Sequence, residues 1–206
     1  MKKIVGILFC MLLVTTALSA TVMAGDEQNP EIKDEVDNEV PDYLDIISAW
    51  FYENPDDPEY LFASLKLKEI SYLRFKQHLT IHWEHNGVEC AAGMFIGYGQ
   101  PWFSFNAGYG HGWWFQEHYV NISGEYDLDI GVFTCKIPKE VINNPKKGDV
   151  LTNTQAVTFQ RFGFIGRLGF DRFFFPFLIY LITGNGVNDV APNNSSSYGE
   201  DYIILY

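Results

Sequence analysis

Cysteine is scarce in this chain, with only Cys10, Cys90 and Cys135. Only Cys90 and Cys135 lie beyond the first 24 residues, and two thiols exclude a disulfide scaffold and are too few for a thiolate zinc site, so a core must come from burial. Basic residues are also few, 14 against 26 carboxylates, for a formal charge of −12. That balance argues against a nucleic-acid backbone or an anionic lipid surface as the main partner. Catalytic motifs are missing too: there is no Gly-x-Ser-x-Gly elbow, His-Glu-x-x-His, P-loop or dinucleotide-binding glycine fingerprint. The strand–helix alternation of a parallel sheet is absent as well.

What is present is apolar and aromatic. Of 206 residues, 47% are apolar and 17% aromatic, which excludes wholesale disorder and favours strands over helices. The first 24 residues read as an export signal. Lys2 and Lys3 precede the apolar run Ile4 to Leu13, and Val22 and Ala24 are the small residues of a cleavage site before Gly25. An uncleaved membrane anchor is the alternative. Phe9 before Cys10 is too bulky for lipoprotein processing. Residues 25–42 carry eight carboxylates against Lys33 alone and no aromatic residue, so they are expected to be a solvated, disordered spacer. The domain is expected over residues 43–206.

From Tyr43 onward the pattern has period two. Leu61, Ala63, Leu65 and Leu67 alternate with polar residues, and so do Leu79, Ile81 and Trp83. Asn86-Gly87 predicts a tight hairpin into a returning strand from Val88 to Ile96. Phe133 to Ile137, Val150 to Phe159 and Tyr202 to Tyr206 supply further strands. The expected fold is all-β, an antiparallel β-sandwich of jelly-roll or immunoglobulin-like type. The one helical or apolar segment lies at 170–183, where Phe173 to Ile182 either covers the sandwich or dips into a membrane interface. Cys90 and Cys135 share the parity of core residues, and an oxidising exterior permits a bridge between them.

Several short segments resemble a known class of module. They are Asp45 to Phe51, Ile137-Pro138-Lys139, Asn144-Pro145 and Gly148 to Leu151. Asp189 to Pro192 and Tyr198 to Ile203 complete the set. Together they resemble the β-sandwich accessory domains of secreted archaeal and bacterial proteins that stand beside subtilisin-like proteases. More distantly they resemble the DOMON and family 9 carbohydrate-binding sandwiches. The resemblance spans Pro41 to Tyr206, and this chain departs from the pattern in carrying no protease. It implies a secreted or cell-surface module. It also places Asp45, Asp189 and Asp201 in the matching segments, as ligands for calcium or as turn caps; no other cofactor is implied.

Residues 98–119 hold nine aromatics interleaved with glycines. Exposed, such a loop is a stacking platform; buried, it is core. Trp102, Tyr109, Trp113 and Trp114 are the expected ligand-binding residues, and an extracellular glycan or surface protein is the expected partner. No enzymatic step is expected. A small hydrolase using His82, Glu84 and His118 is the least favoured reading for lack of any motif, and His78, His82 and Glu84 also fit the wetted face of a sheet. An envelope or surface-layer structural module, tethered by an uncleaved N-terminal helix, is the runner-up. Sequons at Asn121, Asn193 and Asn194 agree with export. Mass spectrometry of exported protein should find a mature chain starting near Gly25; intact Met1–Tyr206 recovered only from membranes would contradict this.

Overall fold

A computed structural model describes residues 25–37, 39–70, 76–96, 103–110, 118–161, 189–193 and 197–206. Among them, eleven strands form one antiparallel sheet. In chain order these are β1 (Ile32–Lys33), β2 (Ile46–Tyr52), β3 (Tyr60–Leu67), β4 (Lys76–His85), β5 (Val88–Ile96) and β6 (Phe103–Gly110). Then come β7 (His118–Asp127), β8 (Val132–Pro138), β9 (Val150–Arg161), β10 (Asp189–Ala191) and β11 (Tyr202–Ile203). The spatial order is β1-β2-β3-β8-β7-β6-β5-β4-β9-β10, and β11 also pairs with β9. The sheet curls until β10, at one end of this order, meets β2 near the other. The fold is therefore all-β and antiparallel, of sandwich or barrel-like form.

Local chemistry explains the strands. Asn86 (φ 52°) and Gly87 (φ 74°) both occupy the left-handed region, which the tight β4–β5 turn requires. Period-two alternation sends Leu61, Ala63, Leu65, Leu79, Ile81, Trp83, Phe133 and Ile137 inward, where each is buried. Phe51 sits at the centre of this core. Its ring lies 5.4 Å from Trp83 and 5.6 Å from Tyr202. Cys90 and Cys135 are both buried, as their parity predicts, but they are free thiols. They project from strands separated in the sheet by β6 and β7. Burial pushes the Cys90 thiol up to about 12, and that of Cys135 further up, so neither is a ready nucleophile.

The acidic segment is part of the fold, which corrects the expectation of a disordered spacer over 25–42. Ile32 pairs with Ala49 and is fully buried. Glu31 accepts a hydrogen bond from Phe51 N at 2.9 Å. Ile32, the buried Glu31 and a few backbone bonds anchor this acidic stretch, a pairing that composition does not reveal. The segment at 170–183, including Phe173 to Ile182, lies outside the described residues. Among the described residues no helix is long and apolar enough to cross a membrane.

The last residues are held by a buried ion pair between Lys139 and Glu53. Lys139 Nζ also donates to Pro58 O (2.8 Å) and Tyr206 O (2.6 Å). Glu53 accepts from Tyr202 Oη (3.4 Å) and Leu205 N (2.5 Å). Removing one partner strands the other charge, so Lys139→Met should cost about 3–5 kcal/mol. The double variant Lys139→Met/Glu53→Leu should recover most of that loss. Denaturant unfolding of the single and double variants checks this, and equal destabilisation of the two would contradict it.

Candidate functional site

The inward face of the sheet is spent on the core, so recognition falls to the outward face. Residues paired directly across strands share a face, and the register lays this one out. Trp50 lies opposite Ser64 and Tyr52 opposite Phe62. Ser64 lies opposite Thr134, and Phe62 opposite Lys136. Thr134 then faces Glu125, and Lys136 faces Ser123. Asn121 continues the face to Asn106, and Asn106 to Gly93.

The result is two aromatic banks with a polar strip between them. In the first bank, Tyr52 and Phe62 stack with centroids 4.8 Å apart and planes 12° apart. Lys136 Nζ lies 4.2 Å over the Tyr60 ring and is held by Asp57 at 2.7 Å. The strip exposes Asn121, Ser123 and Glu125 on β7, beside Ser64, Thr134 and Asn106, which are buried. Ser64 and Thr134 share a hydrogen bond of 2.8 Å. In the second bank, Phe95 meets Tyr119 edge-on at 6.1 Å and His78 at 4.5 Å, and His78 stacks on Phe159 at 4.3 Å. The Tyr52 phenol is raised above its ordinary value by burial and by the carboxylate of Glu125.

β7 gives the strip its access. It lies inside the sheet order, yet every residue except Ile122 is exposed. Tyr119 is 42% exposed and Tyr126 41%. Tyr126 faces the other way, with its ring 4.0 Å from Phe103.

The residues expected from sequence fare differently. Trp102, Trp113 and Trp114 lie outside the described residues, as does His111. Tyr109 is on β6 rather than in a loop; its parity with Phe105 and Ala107 turns it inward, half-buried, against His118 at 4.7 Å. Tyr109 is therefore part of the core margin and not of a platform. Asn121 is on β7, not in a loop. The His78–His82 row is half-buried, with Val157, Phe159 and Ala91 beside it buried.

His82, Glu84 and His118 do not converge. Burial lowers the His82 imidazole to about 4, leaving it neutral, with Nε2 3.0 Å from Thr80 Oγ1. A β-bulge separates His82 from Glu84, which accepts from Asn153 Nδ2 at 2.9 Å. His118 lies three strands away from β4, about 14 Å by strand spacing.

Of the three aspartates expected to bind calcium, Asp45 and Asp189 meet where β10 approaches β2, together with Asp34. Asp201 is exposed beside β11 and does not join them. Both oxygens of Asp189 and one of Asp45 are committed to backbone: Ile46 N donates to Asp189 Oδ2 (2.7 Å), Val190 N to Asp189 Oδ1 (2.8 Å) and Asp37 N to Asp45 Oδ1 (3.2 Å), while Asp45 Oδ2 is buried 4.0 Å from Lys68 Nζ. Among the described residues no three histidine, cysteine or carboxylate side chains form a metal-binding group. Burial and the carboxylates of Asp189 and Asp45 push Asp34 up to about 7.

No known protein family matches the chain, no curated protein is detectably similar to it, and no solved structure matches its fold.

Proposed function

We propose that this protein is a non-catalytic module of the cell exterior that binds a glycan on the outward face of β2, β3, β8, β7 and β6. The observation that carries this reading is the stacked Tyr52 and Phe62 at one side, and Tyr119 with Phe95 of the adjoining β5 at the other, flanking the exposed Asn121, Ser123 and Glu125. Rings stack on the apolar faces of sugar units, and the strip offers donors and acceptors to their hydroxyls. The scattered positions of His82, Glu84 and His118 favour binding without a covalent step. The resemblance of residues 41–206 to secreted sandwich modules belongs to the same proposal, as do export and surface location. Trp102, Trp113 and Trp114 remain in it as further aromatic contacts, on the strength of their sequence position alone.

The test separates recognition from folding. Tyr119 is exposed enough that its truncation leaves little cavity, so Tyr119→Ala should barely move Tm. A lost ring contact of about 0.5–1.5 kcal/mol weakens capture roughly two- to tenfold. Tyr52→Ala should weaken it similarly, with some loss of stability from its stack on Phe62. Affinity electrophoresis against a panel of polysaccharides reads both variants. Unchanged retention of both variants on a glycan that the wild type binds would place recognition elsewhere, and no retention of the wild type by any glycan would sink the reading.

A further inference from the structure

Where β3 begins and β8 ends, the outward face runs into a cavity of about 530 Å³. Residues 58–60, 138–140 and 144–147 wall it, with Tyr206 beside them. Tyr60 lies opposite Pro138, and Phe62 opposite Lys136, so one parity carries the face from its first aromatic bank into the cavity. Tyr60 belongs to both, since its ring lies under Lys136 Nζ and it also lines the cavity. The buried Lys139 has nothing left to offer a ligand there: its ammonium is taken by Glu53, Pro58 O and Tyr206 O.

Three of the lining residues, Pro58, Pro138 and Pro145, have no backbone N–H to give. An extended peptide therefore finds few ladder donors, and polar recognition falls to side chains. Glu59 and Glu140 supply acceptors, Lys146 and Lys147 supply donors, and all four are exposed. Lys146 Nζ donates to Asn144 Oδ1 at 2.7 Å, and Lys147 Nζ stands 5.9 Å over the Tyr206 ring. None of the four joins an ion pair among the described residues. Hydroxyls suit this balanced mixture, because each one both donates and accepts. An anionic ligand brings its charge against Glu59 and Glu140, in a chain with 26 carboxylates against 14 basic residues. An apolar ligand strips water from four charges and returns no hydrogen bond. Tyr60 and the exposed Tyr206 add ring faces for stacking.

We propose that this cavity is a second subsite of the glycan-binding face, and that the glycan it takes is uncharged. The inference rests on the glycan reading of the outward face and adds the class of sugar. The cavity falls within the roughly 300–1,000 Å³ of small-ligand sites, which is room for a short piece of a sugar chain. Tyr60 and Phe62 are two residues apart along β3, about 7 Å, so a chain seated in the cavity runs on to the Tyr52–Phe62 stack. The banks take any sugar with an apolar face. Selection for uncharged, hydroxyl-bearing units falls to Glu59, Glu140, Lys146 and Lys147.

Affinity electrophoresis of the whole chain tests both parts, in gels carrying neutral polymers (laminarin, galactomannan, xyloglucan) or acidic ones (alginate, polygalacturonate). The wild type should be retarded by at least one neutral polymer and by neither acidic one. Glu140→Ala/Lys147→Ala removes one exposed acceptor and one exposed donor. Its Tm should therefore hold while retention on that neutral polymer weakens about tenfold. Glu59→Gln keeps the shape of the wall and should weaken retention a few-fold, a reading that does not depend on how the double variant folds. Full retention of both cavity variants on a polymer that Tyr119→Ala binds less well would overturn the subsite and leave the outward face standing. Weakening by the cavity variants alone, with Tyr119→Ala and Tyr52→Ala unchanged, would overturn the joint site. Retardation by an acidic polymer would overturn the uncharged class, and no retardation of the wild type by any polymer would sink both the subsite and the face.

Discussion

Four buried carboxylates accept backbone N–H groups around the seam of this sheet, and the closure of the fold depends on them. Glu31 takes Phe51 N, Asp189 takes Ile46 N, Glu53 takes Leu205 N and Asp45 takes Asp37 N. A sheet that curls on itself must satisfy the donors at its edges or leave them buried and unpaired, at a cost comparable to a lost hydrogen bond. Here short strands and acidic side chains share that task. The excess of carboxylates thus has a structural use beyond solubility. Its consequence is electrostatic. Only Glu53 of the four is matched by a buried cation, Lys139. Asp34, beside Asp45 and Asp189, has its carboxyl pushed up to about 7 by burial and by those neighbours.

Closing the sheet around Phe51, Trp83, Phe133 and Tyr202 turns one side chain of every two outward. On β2, β3 and β8 those outward residues are not simply polar. Trp50, Tyr52, Tyr60 and Phe62 cluster there, and Trp50 is 7% exposed. The sheet is thus aromatic on both faces over these strands, with the hydroxyls of Ser64 and Thr134 bonded to each other between the rings. The rings there are half-buried, leaving Tyr52, Tyr60 and Phe62 partly open to solvent. This is what moves the functional reading away from the His82 region, where the imidazole is neutral and its neighbours are dispersed.

Strand positions were legible because alternation and turn chemistry agree. Val88–Ile96 matches the strand expected after Asn86-Gly87, and Leu61 to Leu67 keeps a single parity throughout. The binding face was harder to see. In Ile46 to Tyr52 both parities are apolar, so periodicity shows a strand without showing which aromatic residues face out. Only the pairing of β2 with β3 and of β8 with β7 assembles Tyr52, Phe62, Ser123 and Thr134, and sequence does not encode strand order in any local signal. Tyr109 misled for the opposite reason: a glycine-rich aromatic stretch looks like a loop, yet Phe103–Gly110 is a ladder strand. The acidic segment misled because net charge hides a single well-placed Ile32.

The sheet divides labour between an inward core and an outward face proposed for recognition. Chemical-shift mapping of the folded protein with a retained polysaccharide tests it most directly. Perturbations grouped on Tyr52, Phe62, Thr134, Ser123, Asn121 and Tyr119, with the core methyls of Leu61 and Ile81 unmoved, are the predicted result. Perturbations centred on His82 and Glu84, with the β2–β3–β8–β7 face silent, would contradict it.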